Sequence, residues 1–102
     1  MFPKKNRFNF KSDLPKRIIH SDSFTLRYGK NVGGVRVAVV VSKRVDKRAV
    51  VRNKIKRRML SSIKKFVDTS EPLNLIFYVK KNVLNSEDLE KEIQQVINNI
   101  TI

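Results

Sequence analysis

Residues 47–67 contain neither glycine nor proline, and within them Val51, Ile55, Met59, Ile63 and Phe66 recur at spacings of four and three. This is the period of a helix with one buried stripe, and its length predicts about five turns. Projected at roughly 100° per residue, Asn53, Lys54, Arg57, Arg58, Lys64 and Lys65 fall on the far side from that stripe. Arg52 and Lys56 project into or beside the apolar arc of the N-terminal half, where a purely solvated helix would prefer aliphatic residues. A long one-sided helix has to be covered by another layer. The rest of the chain therefore has to supply one.

The covering layer is legible as strands. Phe24, Leu26 and Tyr28 alternate with Thr25 and Arg27, and Val37, Val39 and Val41 alternate with Arg36, Ala38, Val40 and Ser42, the period of two of a strand. The GKNVGG stretch between them predicts a hairpin loop and an antiparallel pairing of the two segments. Arg17 to His20 is β-branched enough for a short strand, with Ser21 and Asp22 turning into the next. After Pro72, residues 73–80 form a further strand with apolar residues on both faces near its middle, which predicts an interior position. Ser86 is the expected cap of a last helix, with Glu87, Asp88 and Glu90 in its first turn and Leu89, Ile93, Val96 and Ile100 as its buried stripe. Strands, helix, strand, helix in this order describe an α+β sandwich with helices on a mixed sheet, and 102 residues fit one domain, 1–102.

Charge narrows the partners. There are 23 Lys and Arg against 9 Asp and Glu, a formal charge of +14, and a polyanion would relieve that self-repulsion. Residues 43–65 hold 11 basic residues and one acid, Asp46, whereas residues 66–102 hold 3 basic and 6 acidic. So single-signed a stretch is unlike a surface tuned only for solubility. Arginine forks match phosphate oxygens, Asn53 offers both donor and acceptor, and Arg52 and Lys56 can lay their stems on the core edge while delivering charge to a groove. The competing reading, a solvated face with snorkelling side chains, holds for most ordinary helices but not at this density of charge.

Other classes fare worse. The chain has no cysteine and one histidine, His20, so thiolate and histidine-rich metal sites are excluded. There is no Ser-His-Asp set, no phosphate-cradling glycine loop and no convincing carboxylate pair. Asp46 and Asp68 flank the basic helix, where capping outweighs metal binding. No apolar run approaches the length of a membrane span, and MFPKKNRF leads into no apolar signal region. The expected location is cytoplasmic. A DNA-binding helix-turn-helix would need a second short helix before the basic one, and a membrane-surface helix an aromatic apolar face; neither is present, so neither DNA nor membrane is the expected partner.

The stretch VRVAVVVSKRVDKRAVVRNKIKRR resembles the strand and RNR helix of the bacterial ribonuclease P protein subunit. Its heart is Lys43-Arg44, then Lys47-Arg48, then Arg52-Asn53-Lys54-Ile55-Lys56-Arg57. FPKKNRF is similar to the family's opening Leu-Pro-Lys-x-Asn-Arg-Leu pattern, and LNLIFYVKK resembles its last strand. The resemblance implies a two-layer α+β sandwich of αβββαβα type, with a mixed four-stranded sheet and a left-handed βαβ crossover, similar to a domain of a small-subunit ribosomal protein. General rules would favour the right-handed crossover.

The resemblance also implies a role. In the family the catalyst is an RNA, the reaction is metal-dependent hydrolysis releasing the 5′ leader of precursor tRNA, and the protein assists. The expected partners are ribonuclease P RNA and precursor tRNA, and the expected cofactor is Mg2+ bound mainly by RNA, with no catalytic residue and no metal ligand on the protein. By position, Lys43, Arg44, Lys47, Arg48, Arg52, Asn53, Lys54, Lys56 and Arg57 resemble the residues that contact the catalytic RNA. The strand face carrying Arg36, Ala38, Val40 and Ser42, with Arg27 beside it, resembles the floor of the leader-binding cleft, where small residues let a single strand lie close to the sheet. Phe24 and Tyr28 fall on the opposite face, in the core.

Two departures stand out. Many members close the motif with Arg-Glu where this chain has Leu60-Ser61, and Arg58 is the candidate replacement as an RNA contact. FNFKSDLPKRI is shorter than the usual first-helix segment and contains Pro15, so a truncated first helix is expected, with Phe8 and Phe10 either aromatic leader contacts or core. The alternative function is a small basic ribosomal-type rRNA-binding protein, which shares the charge but has no reason to place Arg52-Asn53 after this strand.

Overall fold

The computed structural model describes residues 7–8, 14–31, 33–67 and 72–100. Its elements are β1 (Arg17–His20), β2 (Phe24–Lys30), β3 (Arg36–Val40), α1 (Ala49–Phe66), β4 (Leu73–Val79) and α2 (Leu89–Asn98). The four strands form one mixed sheet in the order β1-β2-β4-β3. β1 and β4 each run antiparallel to β2, and β3 runs parallel to β4. The expected first-helix segment lies mainly outside the described residues, as do Phe10 and Asp68.

Strand alternation decides which face is covered. Phe24, Leu26 and Tyr28 of β2, Val37 of β3 and Leu73, Leu75, Phe77 and Val79 of β4 are buried, and they share one core with Ile55, Met59 and Ile63 of α1 and Leu89, Ile93 and Val96 of α2. Both helices thus pack on one side of the sheet. At the centre, the rings of Phe24 and Phe77 meet edge to face, 5.2 Å apart at 63°, a geometry the aromatic quadrupole favours. Burying the stripe of α1 in this core is what fixes its 18 residues as a helix, because an isolated helix of this length is only marginally stable in water.

The anticipated β2–β3 hairpin does not form. The two strands are antiparallel, but β4 lies between them, pairing through Leu26↔Phe77 on one edge and Val39↔Phe77 on the other. β4 takes the interior position because it is apolar on both faces: Ile76, on the side away from the helices, is fully buried too. The glycine-rich loop instead crosses the start of β4. Asn31 donates its backbone N–H to Pro72 O (2.9 Å), and its Nδ2 donates to Leu73 O (2.9 Å) and Asn74 Oδ1 (2.8 Å). Gly33 adopts φ +107°, a backbone conformation that a Cβ would strain. Turn composition signalled the loop but not the strand inserted beneath it.

α2 starts two residues later than its sequence signals suggest, with Asp88 as N-cap and no side-chain capping bond. Ser86 stays in the preceding loop, where its N–H donates to Val83 O (3.1 Å). That loop is pinned from below: the Arg58 guanidinium of α1 donates to the carbonyls of Val83, Leu84 and Ser86. The acids of α2 serve the fold. Glu92 accepts from the Ser23 N–H (2.8 Å) and the Ser21 hydroxyl in the β1–β2 turn, and Glu90 pairs with Lys65 (2.6 Å).

Candidate nucleic-acid interface

The basic segment opens with a turn built around its one acid. Asp46 Oδ1 accepts the Arg48 backbone N–H (2.9 Å) and Nε (3.1 Å), and Oδ2 meets the other arm of the same guanidinium at 3.0 Å. The side-chain and backbone hydrogen bonds from Arg48 hold the Asp46 carboxyl below its usual range, and the same contact raises Arg48 further. Asp46 is therefore spent on local geometry. Arg52 completes the turn by donating Nη1 to Lys47 O (2.9 Å) and Asp46 O (3.1 Å). This accounts for an arginine placed beside the apolar arc: its stem lies on the core edge while its head ties the loop to α1.

The beginning of α1 runs against helix electrostatics. The N-terminal end carries the positive pole of the helix and favours acids or a capping Ser, Thr, Asp or Asn. Here Arg48 is the N-cap, it makes no side-chain capping bond, and the first turn contains no acid. Exposed Lys43, Arg44, Lys47 and Arg48 crowd the positive pole, and exposed Asn53, Lys54 and Arg57 continue along the helix. Val50, 67% exposed, sits among them. Unliganded, this arrangement costs stability; a phosphate relieves it, since helix N-termini and arginine forks both bind anions.

The remaining candidates are placed differently. Lys56 is half-buried and, with Arg7, Phe8, Val37, Val39 and Leu60, lines a cavity of about 300 Å³ at the outer edge of β3. Phe8 is buried there, its N–H donating to Val37 O (3.0 Å). Arg58 is turned toward the three loop carbonyls already described.

The sheet face away from the helices forms a second surface, and the register orders it into rows. One row runs His20, Thr25, Tyr78, Val40; the next runs Ile18, Arg27, Ile76, Ala38; the third runs Gly29, Asn74, Arg36. Arg27, Arg36, Ala38 and Val40 therefore do share one face. Ser42 continues their parity but lies beyond the end of β3, in a turn where its carbonyl accepts the Val45 N–H (3.1 Å). Pro15 roofs the third row, since a Cβ on Gly29 would stand 3.4 Å from Pro15 Cβ. The first row lies at the opposite end, where β3 leads into Lys43 and Arg44 and β4 into Lys80 and Lys81. Lys80 donates to Ser21 O (2.7 Å) and Lys81 pairs with Asp22 (2.5 Å).

Tyr78, Thr25 and His20 were absent from the RNA- and leader-binding residues expected from the sequence. Along β4 Tyr78 falls on the face opposite Phe77, but only the strand order reveals that this face is the uncovered one. Among the described residues no group of three His, Asp or Glu side chains gathers in a way that could hold a metal ion, and no helix is long and apolar enough to cross a membrane.

Comparison with known proteins places this arrangement. The RNase P protein of Staphylococcus aureus superposes with a TM-score of 0.69 at 20% identity, covering 80% of this chain and 78% of that one. The RNase P protein of Thermotoga maritima gives 0.71 at 16% identity, covering 94% and 98%. At these identities the likeness is one of fold. No curated protein sequence matches the chain. The family model described as Ribonuclease P, however, matches residues 2–101, nearly the whole length, and on that match the chain belongs to the ribonuclease P protein family.

Proposed function

We propose that this chain is the protein subunit of ribonuclease P, binding the catalytic RNA through the N-terminal half of α1 and the loop before it, and the 5′ leader of precursor tRNA on the open face of the sheet. The observation that carries this reading is the uncapped, cation-crowded start of α1, whose neighbouring acid is committed to Arg48. Lys43, Arg44, Lys47, Arg48, Asn53, Lys54 and Arg57 present donors outward to phosphate, Arg52 holds their loop in place, and Lys56 faces the β3 edge. Arg27, Arg36, Ala38 and Val40 form the floor for the leader, and Ser42 stands at its exit toward the basic loop.

In this role the protein breaks no bond. It offsets the repulsion between leader and catalytic RNA and holds the substrate in register, which converts binding energy into positioning. Mg2+ belongs to the holoenzyme and is held mainly by RNA. The decisive experiment is cleavage of a precursor tRNA by a matching ribonuclease P RNA at low magnesium, with and without this protein. Stimulation is expected; unchanged cleavage, or recovery of ribosomal RNA in place of ribonuclease P RNA in a pull-down, refutes the assignment.

A further inference from the structure

The open face of the sheet carries one Phe or Tyr among the described residues. Phe24, Tyr28 and Phe77 are in the core, Phe66 packs against it, and Phe8 is buried at the β3 edge. Tyr78 belongs to none of these groups. It projects from the central strand to the side without helices, is partly exposed, and its hydroxyl makes no hydrogen bond to the described residues. Its cross-strand neighbours are Thr25 on β2 and Val40 on β3, neither large enough to wall off the ring.

Position matters as much as exposure. The row holding Tyr78 is the one nearest the basic rim, where β3 leads into Lys43 and Arg44, while Pro15 closes the far end of the same face over Gly29. Arg27 lies in the next row, opposite Ile76, on a diagonal from Tyr78 that a long side chain can bridge. A single RNA strand entering from the basic rim thus meets an aromatic plane first and a guanidinium second. Aromatic planes bind unpaired bases without regard to sequence, because every base has a π-face, and neighbouring cations hold the backbone.

We infer that Tyr78 is the stacking platform for one unpaired nucleobase of the precursor's 5′ leader, making it a positioning residue for the cleavage reaction. This rests on the proposed leader-binding role of the sheet face. It adds a base contact to a floor otherwise made of small and cationic side chains. A bulged base of the catalytic RNA has the same chemistry, and the test separates the two sources.

The experiment uses the protein assembled with ribonuclease P RNA, comparing wild type, Tyr78→Phe and Tyr78→Ala. Each is titrated with precursor tRNA carrying a short leader, the same substrate with abasic leader positions introduced one at a time, and leaderless tRNA. For wild type, one abasic position weakens binding by roughly five- to 150-fold, the range of a single base stack. Tyr78→Ala weakens the intact substrate by the same factor and becomes insensitive to that position, whereas Tyr78→Phe behaves as wild type. Affinity for leaderless tRNA and the protein–RNA assembly constant stay unchanged. An alanine variant that keeps its sensitivity to the abasic position overturns the inference, as does a loss confined to assembly, which would assign the base to the catalytic RNA. If wild type gains nothing from a leader at all, the leader-binding reading falls and this inference with it.

Discussion

At the scale of single residues, two arginines that look alike in the sequence do different work. Arg48 points outward from the start of α1 with Asp46 as its partner, while Arg58, three turns on, spends its guanidinium on the carbonyls of Val83, Leu84 and Ser86. Hydrogen bonds from a charged donor contribute about 1.5–3 kcal/mol each, and leaving half-buried carbonyls unpaired adds to the cost of removing the donor. Arg58→Ala is therefore expected to destabilise the fold by roughly 2–4 kcal/mol, which in a domain of this size lowers Tm by at least about 10 °C. Arg58→Lys recovers little, because an ammonium cannot reproduce a fork that reaches three carbonyls. Thermal unfolding checks both. Measured below the lowered Tm, the salt dependence of RNA binding should stay as in wild type; a slope shallower by about one unit would instead place Arg58 on a phosphate.

At the scale of elements, α1 sets function against stability. Its first turn has no acid and its N-cap no capping side chain, so an acid there should help the helix and harm the interface. Val50 is the position to test, being 67% exposed and in that first turn. Val50→Glu is expected to stabilise the free protein by about 0.3–1 kcal/mol through the helix dipole, and to weaken assembly with ribonuclease P RNA by placing a negative charge among Arg48, Asn53 and Lys54. Chemical denaturation and an assembly titration measure the two effects; a variant that is stabilised and binds RNA unchanged would remove this end of α1 from the interface. The helix was readable from sequence because its stripe repeats within one element, and the same holds for β1, whose bounds and following turn at Ser21 and Asp22 came out as expected. Pairing was not readable, because it depends on what else competes for an edge: β4, apolar on both faces, displaced the β2–β3 hairpin that the GKNVGG loop suggested. Tyr78 was missed for the same reason, and Arg58 because its partners lie 25 to 28 residues away.

For the whole molecule the question is where the excess charge sits. The formal charge is +14, but it is not spread evenly. Lys65 pairs with Glu90 and Lys81 with Asp22, and Glu92 is held in the β1–β2 turn, so these acids are engaged away from the basic turn. Among the described residues the uncompensated cations are concentrated before and along the first half of α1, next to the open end of the sheet floor. A surface of this kind binds by releasing counterions. If about six phosphates are engaged, log affinity for ribonuclease P RNA should fall against log salt with a slope between about −4 and −5.5, taking roughly 0.7 to 0.9 per phosphate. Clustering makes a second demand that even spreading of the same charge would not. Replacing Lys43, Arg44 or Lys54 singly with Ala should each reduce the slope by about one, while replacing Lys16, Lys91 or Lys64 should leave it unchanged. Equal effects from both sets would mean that the RNA responds to net charge alone, and the interface would no longer be assigned to α1.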